Sequence, residues 1–255
     1  MGEIVILGGG LLGGAVARVA AERGARVTVA SRTLREHLGL WRRFEARKHD
    51  ALDWVAPDAH VVVALGPSGG ESAAWEEALL RVLGTLERAD HRGPIVLCGP
   101  AGPPAATPFN LFAEAACRAP AVLRLPPLFG PGDRLAWPLV AEARARRRVA
   151  VYRRFRSCRP LFAEDAARAA LTMTEGALEV DGPESVDAAA LGAAVEARFG
   201  VRVGRRWTPG PWRADEVERA PLQRPEADGW DDARFGPRTT LAAWISALPG
   251  PRRRR

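Results

Sequence analysis

Three glycines, Gly8, Gly10 and Gly13, follow the apolar run Ile4-Val5-Ile6-Leu7 and open an alanine-rich segment. Their spacing is G-x-G-x-x-G, and each position has a separate physical task. Gly8 allows a tight turn, Gly10 lets the backbone approach a pyrophosphate, and Gly13 lets a helix pack closely on a strand. The first turn of that helix, with Leu11 and Leu12, presents backbone N–H groups and the positive end of a dipole to phosphates. The chemistry implied is the holding of a dinucleotide. It needs a strand before the glycines and a helix after them, and Ile4 to Arg32, reading IVILGGGLLGGAVARVAAERGARVTVASR, supplies both and adds a second strand. The stretch reads as a βαβ unit.

The residues at the tip of the second strand, Val27-Thr28-Val29-Ala30, normally decide between cofactors. A carboxylate there would accept from the adenosine ribose, whereas this chain offers Ser31, Arg32 and Thr33. That substitution favours NADP(H) over NAD(H), although Arg32 could also stack on adenine or stand in solvent. Lys48-His49-Asp50 closes a third strand; Asp50 could accept from the adenine amine or cap a short helix around Leu52 to Val55. The strand His60 to Leu65 puts Ala64, Leu65 and Gly66 at the start of a small-residue loop, where a cofactor can lie against backbone. Cys98 ends the next strand, Pro94 to Cys98, at the same predicted sheet edge.

Elements that position these residues alternate between strand and helix. Leu34 to Arg47 reads as helix-like, with Leu38, Trp41 and Phe44 as a packing stripe. Glu71 to Arg88 is a helix with Trp75, Leu79, Val82 and Leu86 on one face. Phe109 to Arg118 is another, and Ala121 to Leu125 the sixth strand. This order specifies an α/β fold with a Rossmann-type, doubly wound parallel sheet. Farther on, Val149-Ala150-Val151 is strand-like, Glu164 to Thr174 a helix, Leu178 to Val180 a short strand, and Ser185 can cap the helix that runs to Phe199. From Gly200 the chain turns irregular, with Trp207, Trp212 and Trp230, before a last helix from Leu241 to Leu248. The expected division is a dinucleotide-binding part over 1–150, a smaller C-terminal substrate-side lobe over 151–250 packed as one unit with it, and a disordered basic tail over 251–255.

Composition narrows the function. With 47% hydrophobic residues in 255, the chain can bury a core. It has no apolar run long enough for a bilayer, and Met1-Gly2-Glu3 leads straight into a strand, so the expected location is the cytoplasm. Cys98, Cys117 and Cys158 lack any C-x-x-C, and His37, His49, His60 and His91 lack metal-ligand spacing, so no metal is expected. Of the net charge of +7, four charges belong to Arg252 to Arg255. Lys48 is the sole lysine, so the basicity is an arginine bias throughout the chain; a nucleic-acid partner is not expected.

Taken in order, the fingerprint, D-A-L-D at Asp50 to Asp53, HVVVAL at His60 to Leu65, N-L-F-A-E at Asn110 to Glu114, LRLPPLFGPGD at Leu123 to Asp133 and LFAEDAARAA at Leu161 to Ala170 resemble the extended short-chain dehydrogenase/reductase family, of the NAD-dependent epimerase/dehydratase type. The match covers roughly residues 3 to 200. The resemblance implies that Pro126, Pro127 and Phe129 face the nicotinamide half, with Phe129 toward the substrate, and that Asp165 holds the start of a characteristic helix. It also implies a Tyr-x-x-x-Lys pair, in which lysine lowers the tyrosine pKa so that the phenol serves as acid or base. Here the motif is absent: the chain has one tyrosine, Tyr152, and one lysine, Lys48. By position Ala106 stands for the tyrosine, Asn110 for the lysine, and Cys98-Gly99 for the assisting serines. The chain therefore resembles the atypical members of that family.

No catalytic residue is assigned. Cys98 could bond a substrate oxygen or act as a nucleophile, against the alternative of a structural thiol; Tyr152 could face the substrate with Arg153, Arg154 and Arg156 beside it. Eight arginines between Arg144 and Arg159 fall within sixteen residues. Arginine forks there, Arg153 and Arg156 among them, suit a phosphate or carboxylate, or else form a solvated surface. The expected function is an NADP(H)-dependent oxidoreductase or epimerase/dehydratase-type enzyme on a small metabolite, anionic if the arginines bind it. The alternative is a noncatalytic dinucleotide-sensing regulator or scaffold. Association of two chains as a homodimer is left open.

Overall fold

The computed structural model describes residues 2–33, 39–46, 48, 51–65, 72–100, 120–133, 135–145, 148–152, 157–206 and 229–250. The chain begins with β1 (Glu3–Leu7), α1 (Leu11–Glu22) and β2 (Arg26–Ser31), followed by β3 (Leu40–Arg43), β4 (His60–Val63), α2 (Ser72–Arg88), β5 (Ile95–Pro100) and β6 (Ala121–Leu125). It continues through β7 (Leu128–Phe129), α3 (Trp137–Ala145), β8 (Arg148–Tyr152), β9 (Leu161–Phe162) and α4 (Ala163–Thr172), then makes β10 (Ala177–Glu179). The remaining described elements are α5 (Ala188–Phe199), β11 (Arg202–Arg206), α6 (Asp232–Phe235) and α7 (Leu241–Ala247).

Seven strands form one parallel sheet in the order β10-β6-β5-β4-β1-β2-β3. Burial explains why these segments are strands. Val5, Ile6, Leu7, Val61, Val62 and Val63 are fully buried, as parallel strands covered on both faces must be. Helix α1 buries Ala15, Val16, Ala17 and Ala20, whose small side chains let it lie close to the sheet. On α2, Leu79, Val82 and Leu86 point into a core with Leu7, Val61, Leu97 and Val122. Each such buried leucine or valine contributes about 1.5–3 kcal/mol.

Three local readings of the sequence are corrected. The segment read as a helix from Leu34 to Arg47 contains β3, which pairs with β2 in register Ser31↔Arg43; this strand comes before Lys48, and Asp50 lies outside the described residues. Residues Leu52 to Val55 make turns and no helix. The cap of α5 is Asp187, whose Oδ1 accepts from the Ala190 amide at 2.7 Å, while the Ser185 hydroxyl bonds that of Ser157.

The chain divides into two compact units, Met1–Leu125 with Ala166–Glu179, and Pro126–Asp165 with Val180–Arg255. Hence the first unit closes at Leu125, earlier than position 150, and residues 177–179 return to it as the seventh strand, beside β6. The second unit has its own core, in which Phe129 packs 5.4 Å from Phe162 and 5.6 Å from Trp244, ring centre to ring centre, with Trp137 6.3 Å from Trp244. It also holds a two-stranded parallel sheet of β8 and β11, where the sequence suggested irregular chain after Gly200. Asp165, fully buried, accepts from the Thr239 amide at 2.5 Å and its hydroxyl at 3.3 Å, and Glu184 accepts from the Leu241 amide at 2.9 Å. Those two carboxylates seat the C-terminal helix α7.

At the start of β4, burial holds the His60 imidazole below its ordinary pKa, with a hydrogen bond to the Ala170 backbone pulling the other way. Because the folded value lies below the unfolded one of about 6.5, the unfolded chain takes up the proton first. Stability from this group is full above about pH 6.5 and is lost as pH falls through the lowered folded value. Thermal melts between pH 8 and pH 5 should therefore show a steeper loss of Tm in the native chain than in His60→Gln.

Candidate functional site

The strand order reverses between β1 and β4: the chain leaves β1 to build β2 and β3 on one side, then crosses to β4 on the other. At such a switch point the loops after the two strands diverge and leave a crevice at their carboxyl ends. The glycine turn occupies that place. The Gly8 amide donates to the Ala30 carbonyl at 2.8 Å, and the Ala64 amide to the Leu7 carbonyl at 2.8 Å, so the ends of β1, β2 and β4 are tied together. Gly8 has φ +120°, and a Cβ there would strike the Ala64 carbonyl. A Cβ at Gly13 would coincide with the carbonyl oxygen of Gly8. These two glycines are demanded by the backbone itself.

Gly10 differs. It is the N-cap of α1 with extended backbone, φ −74° and ψ −163°, and no side chain caps the helix. Among the described residues, nothing lies within 4 Å of where its Cβ would stand. Packing does not require glycine here, yet the position borders the first-turn amides of Leu11, Leu12 and Gly13. An open face beside a helix N-terminus is the space a pyrophosphate needs, so the residues present fit a dinucleotide.

At the adenosine end, Ser31 is buried and its hydroxyl is engaged: it donates to the Thr33 carbonyl at 2.9 Å and accepts from Trp41 Nε1 at 3.1 Å. Ser31 can donate to a phosphate only by giving up the Thr33 bond. Arg32 is exposed and has no carboxylate partner among the described residues. Its charge is nevertheless felt locally: the Glu45 carboxyl is held below its ordinary range, first by a hydrogen bond from Lys48 and then by the charges of Lys48, Arg32 and Arg43. The tips of β2 and β3 thus form a mainly cationic edge, with Arg42 stacked 4.8 Å from the centre of the Trp54 ring.

The structure brings Gly8, Gly10, Leu11, Leu12, Gly13, Ser31, Arg32, Ala64 and Leu65 to one edge of the sheet. Cys98 lies on β5 one residue beyond the Val63↔Leu97 pair, at the same edge. Burial pushes its thiol up to about 12, so it is protonated at neutral pH and a poor nucleophile. Pro126 and Pro127 follow β6 and belong to the second unit. The Phe129 ring has no exposed surface and serves the aromatic core. Asp50, Gly66, Arg153 and Arg156 lie outside the described residues, as does the Tyr152 side chain; the Tyr152 backbone ends β8. Among the described residues no group of three or more His, Cys, Asp or Glu could hold a metal ion, and no helix is long and apolar enough to cross a membrane.

One residue with a large local role is hidden in the sequence motif LRLPPLFGPGD. Asp133 is buried and accepts four backbone hydrogen bonds, from Gly130 at 2.8 Å, Leu135 and Ala136 at 2.6 Å each, and Trp137 at 3.1 Å. Burial pushes its carboxyl up and the four amides draw it back. It fixes the turn after β7 and the first turn of α3.

No family model and no curated protein matches the sequence. Solved structures do match over nearly the whole chain. UDP-glucose 4-epimerase of Thermus thermophilus, in complex with NAD, superposes with a TM-score of 0.71 at 15% identity, over 95% of this chain and 96% of that one. UDP-glucose 4-epimerase of Thermotoga maritima, with UDP-glucose, gives 0.72 at 13% identity over 95% and 96%. The Bordetella bronchiseptica enzyme WbmH, in complex with NAD+, gives 0.68 at 16% identity over 97% of both. The chain shares the fold of these solved epimerases and of WbmH, a Rossmann-type parallel sheet. Within this fold the glycine turn, the β2 tip and the end of β4 occupy the carboxyl edge of the Rossmann sheet, and the described residues supply no Tyr-x-x-x-Lys pair, the sole tyrosine being in β8 and the sole lysine after β3.

Proposed function

We propose that the chain is an NADP(H)-binding, atypical short-chain dehydrogenase/reductase, an oxidoreductase or epimerase/dehydratase-type enzyme acting on a small metabolite that carries an anionic group. The observation that carries the reading is the open N-cap at Gly10, set at the switch point of a seven-stranded parallel sheet. The amides of Leu11, Leu12 and Gly13 would hold the pyrophosphate, Ala64 and Leu65 would flank the cofactor, and Arg32 would face a 2′-phosphate. When bound, the nicotinamide supplies a hydride donor or acceptor. The chain's own part is then binding and orientation. With Cys98 protonated and no Tyr–Lys pair, proton transfer falls to water, to the substrate or to Tyr152. The arginines of the 144–159 run are the proposed source of affinity for an anion.

Calorimetric titration tests this. NADPH should bind, NADH more weakly, and Arg32→Ala should weaken NADPH by about tenfold while leaving NADH little changed, since a charge-assisted arginine–phosphate contact is lost. Absence of binding by either dinucleotide would sink the proposal.

The absent Tyr–Lys pair favours a second reading, a dinucleotide-sensing regulator. It expects binding without turnover and a protein partner captured differently in NADP+ and in NADPH.

A further inference from the structure

A cavity of about 510 Å³ lies in the first unit, between the segment after β3 and the middle of α2. From Ala51 to Ala59 the connection to β4 makes turns and no helix, so this part of the sheet face is covered by short turns carrying Leu52 and Val55, with Phe44, which follows β3, in the same core. The cavity floor is apolar: Phe44, Leu52 and Val82 line it, and all three are buried. Leu80, also in the lining, is 58% exposed, whereas Leu79, Val82 and Leu86 of the same helix are buried.

The rest of the lining is cationic. Lys48, Arg81 and Arg88 contribute to the wall, with Thr85, and among the described residues no carboxylate does. Lys48 pairs with Glu45 at 2.9 Å and Arg81 with Glu77 at 2.5 Å, both acids lying outside the lining. Arg88 has no carboxylate partner among the described residues; its guanidinium donates to the Thr85 hydroxyl at 3.0 Å. Among the described residues, the Arg88 cation thus stands without a carboxylate beside an apolar floor, in a space of the size that takes a small organic ligand.

We infer that this cavity binds an amphipathic organic anion, its apolar body lying on Phe44, Leu52, Leu80 and Val82 and its carboxylate or sulfate meeting the Arg88 guanidinium, which the Thr85 hydroxyl, itself donating to the Arg81 carbonyl at 2.7 Å, holds in place. Charge complementarity selects the head, because a cationic head group would meet like charge on this wall. The Lys48 and Arg81 ammonium and guanidinium groups add long-range attraction beyond their own ion pairs. The inference is independent of the dinucleotide proposal, since the lining residues are distinct from the glycine turn, Ser31, Arg32, Ala64 and Leu65.

The test is calorimetry of the full chain with sodium decanoate, decyl sulfate and decyltrimethylammonium, each below its micellar concentration. Decanoate and decyl sulfate should bind one to one and the ammonium should not. Arg88→Glu, and separately Leu80→Asp, should each weaken decanoate binding by about tenfold or more. Both positions are exposed, so the variants should melt like the native chain. Saturating NADPH should leave the decanoate isotherm unchanged. Absence of decanoate binding, equal binding of the ammonium, unaltered affinity in both variants, or displacement of decanoate by NADPH would each overturn the inference, the last because the cavity would then be part of the dinucleotide site.

Discussion

Gly10→Asp should fold normally and lose dinucleotide binding, with Kd for NADPH raised by about two orders of magnitude or more, roughly 3 kcal/mol. The position tolerates a side chain: its backbone is extended, and its Cβ would meet no described atom. Aspartate is moreover among the best N-cap residues, accepting from first-turn amides and favoured by the helix dipole. The carboxylate would therefore occupy the amides that a pyrophosphate needs and add charge repulsion, while α1 gains a few tenths of a kcal/mol. The paired measurements are a thermal melt, expected to be unchanged or slightly raised, and an NADPH titration, expected to show near-complete loss. Gly13→Ala is the contrast. Its Cβ has no room beside the Gly8 carbonyl, so stability and binding should fall together. Retention of NADPH affinity in Gly10→Asp would remove the helix N-terminus from the site.

The second large effect is in the other unit. Asp133→Ala removes one carboxylate and leaves the amides of Gly130, Leu135, Ala136 and Trp137 without their acceptor in a buried turn. Even if solvent or relaxation rescues some of them, the expected cost is about 3–5 kcal/mol, because unsatisfied buried donors cost about 1–3 kcal/mol each and the losses do not add fully. For a chain of this size that lowers Tm by roughly 6–15 °C. Trp137 begins α3 and packs against Trp244, so near-ultraviolet circular dichroism should change as well. Asp133→Asn keeps one acceptor oxygen and should lie between the two. A melt within 2 °C of the native value, about 1 kcal/mol, would show that the turn holds without its carboxylate.

What could be read from residues alone follows a physical division. Strands β1, β4, β5 and β6 are runs of buried β-branched and aliphatic residues, and local pattern is enough to find them. β3, reading LWRR, is a largely exposed edge strand; only its pairing with β2 and the Trp41–Ser31 hydrogen bond make it a strand, and neither is local in sequence. The same holds for β11, which pairs in parallel with a strand 54 residues earlier, Arg202 against Arg148. At the site, the glycine spacing foretold the turn, because backbone geometry forces glycine at positions 8 and 13. The engagement of the Ser31 hydroxyl depends on Trp41, and the role of Asp133 on a closed turn, so single-residue reasoning at a strand tip could reach neither.

The return of residues 177–179 to the first sheet also bears on how the chain is made. Synthesis delivers residues in order, and domains generally fold as they emerge. Here Ala177 pairs with Val122, so the amino-terminal sheet waits for its final strand while residues 126–165 of the other unit are already outside the ribosome. Through that interval the outer edge of β6 stands as an open template for strand pairing. A released chain truncated just before Ala177 would carry the other six strands and a bare β6 edge, and should be a preferred client of chaperones that recognise extended segments.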